Sequence, residues 1–472
     1  MQQDPALPTD RSCPPLSLAV GGALALAAAM GIGRFVYTPI LPAMAGALSL
    51  PASEAGLIAS ANFLGYLVGA LAASAGGLPG SQRSWFLGAL TFSAATTFAM
   101  GLTDSLPLFL VLRFLGGAAS AFTLVFASAL VLERLTASGR SGLSALHFAG
   151  VGSGIAGSAI LIAVLSSRGA SWQSLWFASA GATVALLAGA ALLIPGKSGK
   201  ETAQPAQKPV KPAASRGTPV NVPLLRLILA YGLFGFGYVV TATFISVIAK
   251  SDPALSGLAQ WVWLIVGLTA APSVYLWNRV AVRIGTSAAF SLACIVEAAG
   301  VAMSVSGGLW PLVAGAALLG ATFMGITALG LTEARALTRG DPRRMLAVMT
   351  ASFGLGQMIG PWLAGILHDR TGDFAAASYA AAAALVFAAF LGYQGRKTVA
   401  IAEGKTVSED NKDKVESWPQ LREQLLAEGK GELVEAIDTL IRDSRRVEAA
   451  EVLRQLASEP GLTKGPDTST VH

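Results

Sequence analysis

The chain has 472 residues, 53% of them hydrophobic and only 13% charged, with a mean hydropathy of +0.59. Soluble domains carry about 25% charged residues, so these numbers exclude disorder over most of the chain, a secreted disulfide scaffold and an ordinary cytosolic enzyme, and leave a polytopic membrane protein. The net charge of +6 lies mostly in loops, where it sets orientation in a bilayer and argues for no nucleic-acid partner.

A transmembrane helix needs about 20 mostly apolar residues. Twelve such runs lie near 16–46, 52–76, 84–101, 106–132, 141–166, 172–194, 223–249, 255–277, 286–306, 309–334, 345–367 and 374–395. The breaks carry turn residues or charge, among them Pro51, Asp104, Asp252-Pro253 and Gly372-Asp373. The first run is too long for a signal peptide and continues past Arg34 through Tyr37-Thr38-Pro39, so it is expected to be a retained helix. Residues 1–15 form an N-terminal tail. The Pro- and Lys-rich stretch 195–222 reads as a flexible linker dividing the spans six and six, into halves 16–194 and 223–395. With the N-terminus inside, Arg11, Arg83, Arg134, Arg140, Arg279, Arg283, Arg335, Arg339, Arg343 and Arg344 fall in inside loops, against Arg168, Lys250 and Arg370 outside. That bias places both termini in the cytoplasm, as expected of a multi-pass protein of a bacterial inner membrane.

The halves echo each other at one offset. Gly31 and Gly33 stand 204 residues before Gly235 and Gly237, Gly116 before Gly320, and Gly150 and Gly152 before Gly354 and Gly356. Two tandem six-helix halves are an arrangement of secondary transporters, with the substrate at their interface near mid-membrane.

Several motifs carry a family resemblance over residues 16–395. Gly31-Ile32-Gly33-Arg34-Phe35-Val36-Tyr37-Thr38-Pro39-Ile40-Leu41-Pro42, the Gly150–Gly154 segment and Gly354-Leu355-Gly356-Gln357-Met358-Ile359-Gly360-Pro361 resemble the YbfB/YjiJ-type branch of the major facilitator superfamily. Arg113-Phe114-Leu115-Gly116-Gly117 resembles the superfamily's helix-4 motif. The stretch Asn278–Gly285 resembles its loop 8–9 signature, with Asn278 in place of the glycine and Val282 in place of the aspartate. Loop 2–3 has no Asp-Arg pair, and helix 5 lacks a proline after Gly157, so the charge-relay and antiporter signatures are incomplete. The resemblance implies an all-α membrane protein of twelve transmembrane helices in two pseudo-repeat halves that works by alternating access.

Arg34 lies midway along the first run. A charge there costs at least about 2.5 kcal/mol and should face the bundle interior or a wet cavity. It is a candidate fixed cation for an anionic substrate, or else a structural arginine pairing with helix carbonyls. Gly31, Gly33 and Pro39 allow the helix to kink and open locally around it. Arg113 is a second candidate anion ligand, or an arginine snorkelling outward. The 204-offset mate of Arg34 is Tyr238 and that of Arg113 is Ala317, so the positive charge belongs to the N-terminal half alone, and a carboxylate-bearing substrate is what it would attract. Tyr37, Tyr231, Tyr238, Thr241 and Gln357 are candidate substrate contacts; for the tyrosines, plain packing is the competing reading. Glu297, His147 and Glu54 are candidate proton-coupling groups. Glu297 is the acid near the middle of a span, in a helix that is peripheral in the resembled fold, and Glu54 also suits a helix N-terminus. Gly150, Gly154, Gly354, Gly356, Gly360 and Pro361 are expected to serve close helix contacts that slide during gating, with Arg279 and Arg283 as gating candidates.

Gly152-Ser153-Gly154-Ile155-Ala156-Gly157 matches a dinucleotide fingerprint but has neither a preceding strand nor an acid about 20 residues on. Gly196-Lys197-Ser198 lacks the first glycine of a P-loop. With three histidines and two cysteines, Cys13 and Cys294, neither a metal site nor any cofactor is expected. Residues 396–472 differ in kind. Trp418, Leu421, Leu425 and Leu426, then Val434, Ile437, Leu440 and Ile441, then Val447, Val452, Leu453 and Leu456 give three apolar stripes at helical spacing. A small helical cytoplasmic tail follows, as a solvated appendix or as a lid for a cytoplasmic partner. Functionally, a monomeric carrier of a small organic anion with protons is expected. Proton-coupled efflux of apolar or cationic compounds and a non-transporting membrane sensor are the alternatives.

Overall fold

The computed structural model describes residues 14–74, 78–195, 222–338, 342–394 and six tail positions, 422, 423, 426, 434, 435 and 438. The N-terminal tail with Cys13, the linker and most of the three tail stripes lie outside the described residues. The six tail positions are helical, and Arg422 Nε donates to Asp438 Oδ2 at 3.0 Å. Residues up to Tyr393 form one compact unit, and Gln394 begins a second.

The described structure is built of α-helices: α1 Pro15–Leu26, α2 Tyr37–Leu48, α3 Ala52–Ser74, α4 Gln82–Ala99, α5 Leu106–Ala137, α6 Ser144–Ser167 and α7 Trp172–Leu193 in the first half, then α8 Val222–Ser251, α9 Val262–Ala270, α10 Ser273–Ile284, α11 Thr286–Met303, α12 Leu309–Leu337, α13 Pro342–Thr371 and α14 Ala375–Gly392. Helices are what an apolar chain must form in hydrocarbon, because every backbone N–H and C=O needs a partner within the segment. Eleven stretches among the described residues are long and apolar enough to cross a membrane; the first runs from Pro15 to Leu48 through a π-helical turn, Ala27–Ile32.

The eighth expected run departs from the sequence reading. Instead of one helix over 255–277, residues 252–261 make turns around a short 3-10 segment, Ser256–Leu258, and the chain resumes as α9 and α10 with a break at Ala271-Pro272. Pro272 has no N–H to continue the ladder. Its 204-offset counterpart in the unbroken α3 is Val68.

Corresponding helices make corresponding contacts. α3 packs on α5 as α9 packs on α12; α1 packs on α6 as α8 packs on α13; α4 packs on α7 as α11 packs on α14. Between the halves, α3 lies along α13 and α6 along α9. Thr38 Oγ1 donates to the Ala242 carbonyl at 2.8 Å, and these residues are 204 apart. Two positions at the repeat offset meeting each other mark the axis that relates the halves.

The glycine rows sort by what they touch. A Cβ on Gly150 or Gly154 would run into the backbone of the first span, at Ala23 of α1 or Ala27 of the π-helical turn, and one on Gly356 or Gly360 into α8 at Gly232 or Val239, so these serve contacts inside each half. Gly354 faces the Leu67 side chain across the interface, and the Pro361 carbonyl sits over Gly56. Further close approaches between halves fall at Gly152 on Ala271, a repeat position not expected to be a helix contact, and at two glycines absent from the sequence analysis, Gly365 on Ala52 and Gly267 on Ala156.

Candidate substrate site

The site begins with a failure of helix geometry. Through the π-helical turn, the Gly33 N–H reaches back to Ala28 O at 2.9 Å and the Phe35 N–H to Met30 O at 3.2 Å, both five residues back. Pro39 has no N–H to offer the Phe35 carbonyl, and Thr38 N takes it instead at 3.2 Å. The carbonyls of Gly33 and Arg34 are thereby left to a side chain, and Arg113 supplies it. Its Nη1 donates to Gly33 O at 3.1 Å and its Nη2 to Arg34 O at 2.8 Å. Its ring contact is Tyr37, 5.2 Å away, and its own carbonyl accepts from the buried Asn62 amide at 2.9 Å. Arg113 is 4% exposed, so it does not snorkel to a surface. It braces the break in the first span from α5.

That brace aims Arg34 across the molecule. Arg34 is 4% exposed, and its Nη2 donates to Gln357 Oε1 on α13 at 2.8 Å. Arginine has only donors, so the amide orientation is fixed: Oε1 faces Arg34, and Nε2 is left to donate to the Tyr238 hydroxyl on α8. Arg34 and its 204-offset mate Tyr238 thus converge on one residue, Gln357. The guanidinium also lies over three rings of its own half, Tyr66 at 4.1 Å, Phe63 at 4.8 Å and Phe35 at 5.3 Å. Among the described residues no carboxylate lies within 4 Å of it, and Arg34 Nε, fully buried, has no acceptor.

The opposite wall is aromatic. The Tyr238 ring lies nearly parallel to Phe323 of α12 (5.7 Å, 6°) and to Phe353 of α13 (5.9 Å, 5°), and Phe234 extends the stack. Phe35 closes the gap from the other half, edge-on to Phe323 at 6.2 Å and 6.3 Å from Trp263. The void left beside Arg34 is about 10 Å³, too small for any substrate, so the halves are shut over the site.

The remaining expected residues fall as follows. The Tyr37 hydroxyl donates to Ala55 O at 2.9 Å and that of Tyr231 to Thr327 O at 3.2 Å, so both are spent on backbone. The Thr241 hydroxyl is buried without a partner. Glu297 is fully buried on α11, and neither of its carboxyl oxygens has a hydrogen-bond partner. His147 is buried on α6, with Nε2 on Ser128 Oγ at 3.1 Å and the ring against Gly22 of α1. Glu54 lies in the first turn of α3, but the acid serving that helix start is another: Asp369 of α13, whose Oδ1 and Oδ2 accept from Ala52 N and Ser53 N at 3.0 Å each. Arg279 and Arg283 are exposed on α10, Arg279 over the Tyr275 ring of its own helix. Asp369, Tyr66, Phe323 and Phe353 escaped the sequence reading. The aromatics sit in apolar runs with nothing local to single them out, and Asp369 acts on a helix more than 300 residues away.

The family described as "Uncharacterised MFS-type transporter YbfB" matches residues 26–392. The chain belongs to this family. It is a YbfB-type transporter of the major facilitator superfamily, a transport protein and not an enzyme. Its fold is that of solved transporters. A point mutant of the nucleoside transporter NupG aligns with a TM-score of 0.62 at 15% identity, covering 80% of this chain and 98% of the other. NupG itself aligns with a TM-score of 0.58 at 16% identity over the same shares. A search of curated proteins gives no match. As the motifs of the first span and of α13 suggested, the YbfB-type resemblance holds, and the match takes in every expected substrate contact.

Proposed function

We propose that this YbfB-type transporter carries a small organic anion together with protons, by rocking its two halves about Arg34. The observation that carries this reading is the cation itself. Arg34 is buried, is paired with a neutral amide from the other half, and has no carboxylate within 4 Å among the described residues. A buried charge left without a counter-ion is costly, and an anionic substrate relieves the cost. Alternating access then follows from where the bond lies. Arg34 and Gln357 belong to opposite halves, so opening on either side must break their hydrogen bond, and a substrate that takes over Arg34 lowers the cost of opening.

Protons enter through Glu297, a fully buried acid of α11 whose carboxyl oxygens have no hydrogen-bond partner. The setting is a bacterial inner membrane with both termini in the cytoplasm, and the working unit is a monomer. Thermal unfolding of the purified full chain against carboxylates, nucleosides, sugars and cationic drugs tests the substrate class. A ligand at 100 times its dissociation constant adds about 2.7 kcal/mol to the folded state. A carboxylate shift absent from Arg34→Gln supports the anion carrier; a cation or nucleoside shift indifferent to that substitution refutes it.

A further inference from the structure

The Arg34 fork is half filled. Nε–H and Nη2–H point from one edge of the guanidinium, the edge a carboxylate takes with two parallel hydrogen bonds. Gln357 Oε1 occupies the Nη2 position at 2.8 Å, and Nε is buried with no acceptor. Here the single amide oxygen serves one donor of the two, whereas a carboxylate, with two oxygens, can serve both in parallel. The Tyr238 hydroxyl, now accepting from the Gln357 amide, is a further donor on the same spot.

The next residue, Phe35, is the second stand-in. It comes from the half that carries Arg34 and lies perpendicular to Phe323 on the other half, at 6.2 Å and 73°. Phe323 continues into the nearly parallel Tyr238 and Phe353 rings, all three contributed by the second half. Separating the halves withdraws Phe35 together with Arg34 and uncovers the Phe323 ring. The uncovered site then has a cationic fork on one wall and an aromatic surface on the other.

Resting on the anion-carrier reading above, we infer that the substrate is a planar aromatic carboxylate: its carboxylate replaces Gln357 Oε1 in the Arg34 fork and its ring replaces Phe35 against Phe323. The neutral Gln357 amide and the Phe35 ring together imitate the two ends of such a molecule when the carrier is empty. A short aliphatic acid would fill the fork and leave the wall bare. An uncharged planar compound would do the reverse.

The test uses the unmodified full chain in detergent and isothermal titration with three probes: benzoate, its saturated counterpart cyclohexanecarboxylate, and neutral benzamide. An aromatic pair contributes about 0.5–1.5 kcal/mol beyond area burial, so benzoate is expected to bind about 2- to 12-fold tighter than cyclohexanecarboxylate, with benzamide weaker than both. Arg34→Gln removes binding of both acids, and Phe323→Leu brings the two acids within 2-fold of each other while both still require Arg34. Equal affinity of the two acids in the unmodified chain, with Arg34 required by both, overturns the aromatic assignment and leaves the anion carrier standing. Benzamide binding as tightly as benzoate, or acids binding Arg34→Gln as they bind the unmodified chain, overturns both. The comparison between ligands needs no variant, so poor folding of Phe323→Leu does not weaken it.

Discussion

Replacing Asp369 with alanine should open one face of the molecule without unfolding it. Asp369 sits near the end of α13 in one half and caps the start of α3 in the other, one carboxylate oxygen on Ala52 N and one on Ser53 N, both at 3.0 Å. These are two of the N–H groups that every helix leaves without an intrahelical partner. Pro51, just before them, supplies no side-chain acceptor, so the cap arrives from across the interface. Loss of a helix N-cap costs about 0.5–2 kcal/mol. Here that cost falls on the closed arrangement alone, because with the halves apart water reaches the same N–H groups. The open population should therefore rise about 2- to 30-fold. The readout is the labelling rate of Ala59→Cys, a position 3% exposed that lines the void beside Arg34 with Ala242 and Thr243 of the other half, by a membrane-impermeant maleimide, in a chain also carrying Cys13→Ser so that the remaining native thiol, Cys294, is buried. Asp369→Asn, which retains one acceptor, should fall between. A labelling rate unchanged in Asp369→Ala would show that the cap does not hold this face shut, and the reasoning from Asp369 to gating would fail. Labelling from the side opposite the N-terminus would at the same time test the charge-based orientation.

Three other outcomes follow from the packing. Gly56→Ala and Gly65→Ala each push a methyl into a carbonyl, Pro361 across the interface for the first and Phe114 within the half for the second. Overpacking of this kind costs about 1–3 kcal/mol. Gly65→Ala should lower the thermal unfolding midpoint, whereas Gly56→Ala should leave the midpoint nearly unchanged and raise Ala59→Cys labelling; the reverse pattern would mean the interface is misassigned. Arg113→Met should destabilise the protein by at least about 3 kcal/mol, since two charge-assisted hydrogen bonds to the freed carbonyls are lost at about 1.5–3 kcal/mol each, and a midpoint within a degree of the parent would show that the break does not depend on Arg113. Glu297→Gln should abolish the stimulation of uptake into liposomes by an imposed proton gradient while preserving the ligand-induced thermal shift; gradient-driven uptake that survives removes Glu297 as the coupling group.

The fold was largely legible because the bilayer imposes it: apolar run length gives the spans, and the 204-residue offset gives the repeat. The offset also proved informative about the site. It pairs Arg34 with Tyr238, and the structure brings both onto Gln357. A charge in mid-span announces its own burial, so Arg34 could be read from the sequence. Its neighbour in space, Arg113, was a candidate ligand by the same logic, but its bracing role could not be read, because its partners are backbone carbonyls freed on another helix, and a carbonyl has no letter in a sequence. The broken eighth run shows the same limit. Pro272 was visible, but its effect depends on which neighbours satisfy the freed groups. Here Ser273 Oγ and Trp277 Nε1 both donate to Ala321 O, and Ser273 Oγ accepts from Gly325 N, tying the restart of α10 to α12.

The two halves therefore share a scaffold and divide the chemistry. At the offset where the first half places a cation on a broken helix, the second places a tyrosine ring on the continuous α8. A symmetric site with an arginine on both walls would hold its halves apart by charge repulsion when empty. One with rings on both walls would close by apolar contact and offer an anion nothing. With the cation on one wall and the rings on the other, the empty carrier can still close, because Arg34 over Phe35, Phe63 and Tyr66 keeps its own aromatic bed, and Gln357 supplies an uncharged acceptor from across the axis. That closure is weaker than one made by a carboxylate, since a carboxylate adds an opposite charge and can take Nε and Nη2 together in two parallel hydrogen bonds. An acidic side chain at position 357 would saturate Arg34 and lock the carrier shut; on the proposed anion-carrier reading, a neutral amide leaves a bound anion as the stronger partner. Gln357→Glu should accordingly abolish carboxylate binding while raising the thermal midpoint of the empty protein, and carboxylate binding that survives in that variant would refute the role assigned to the amide.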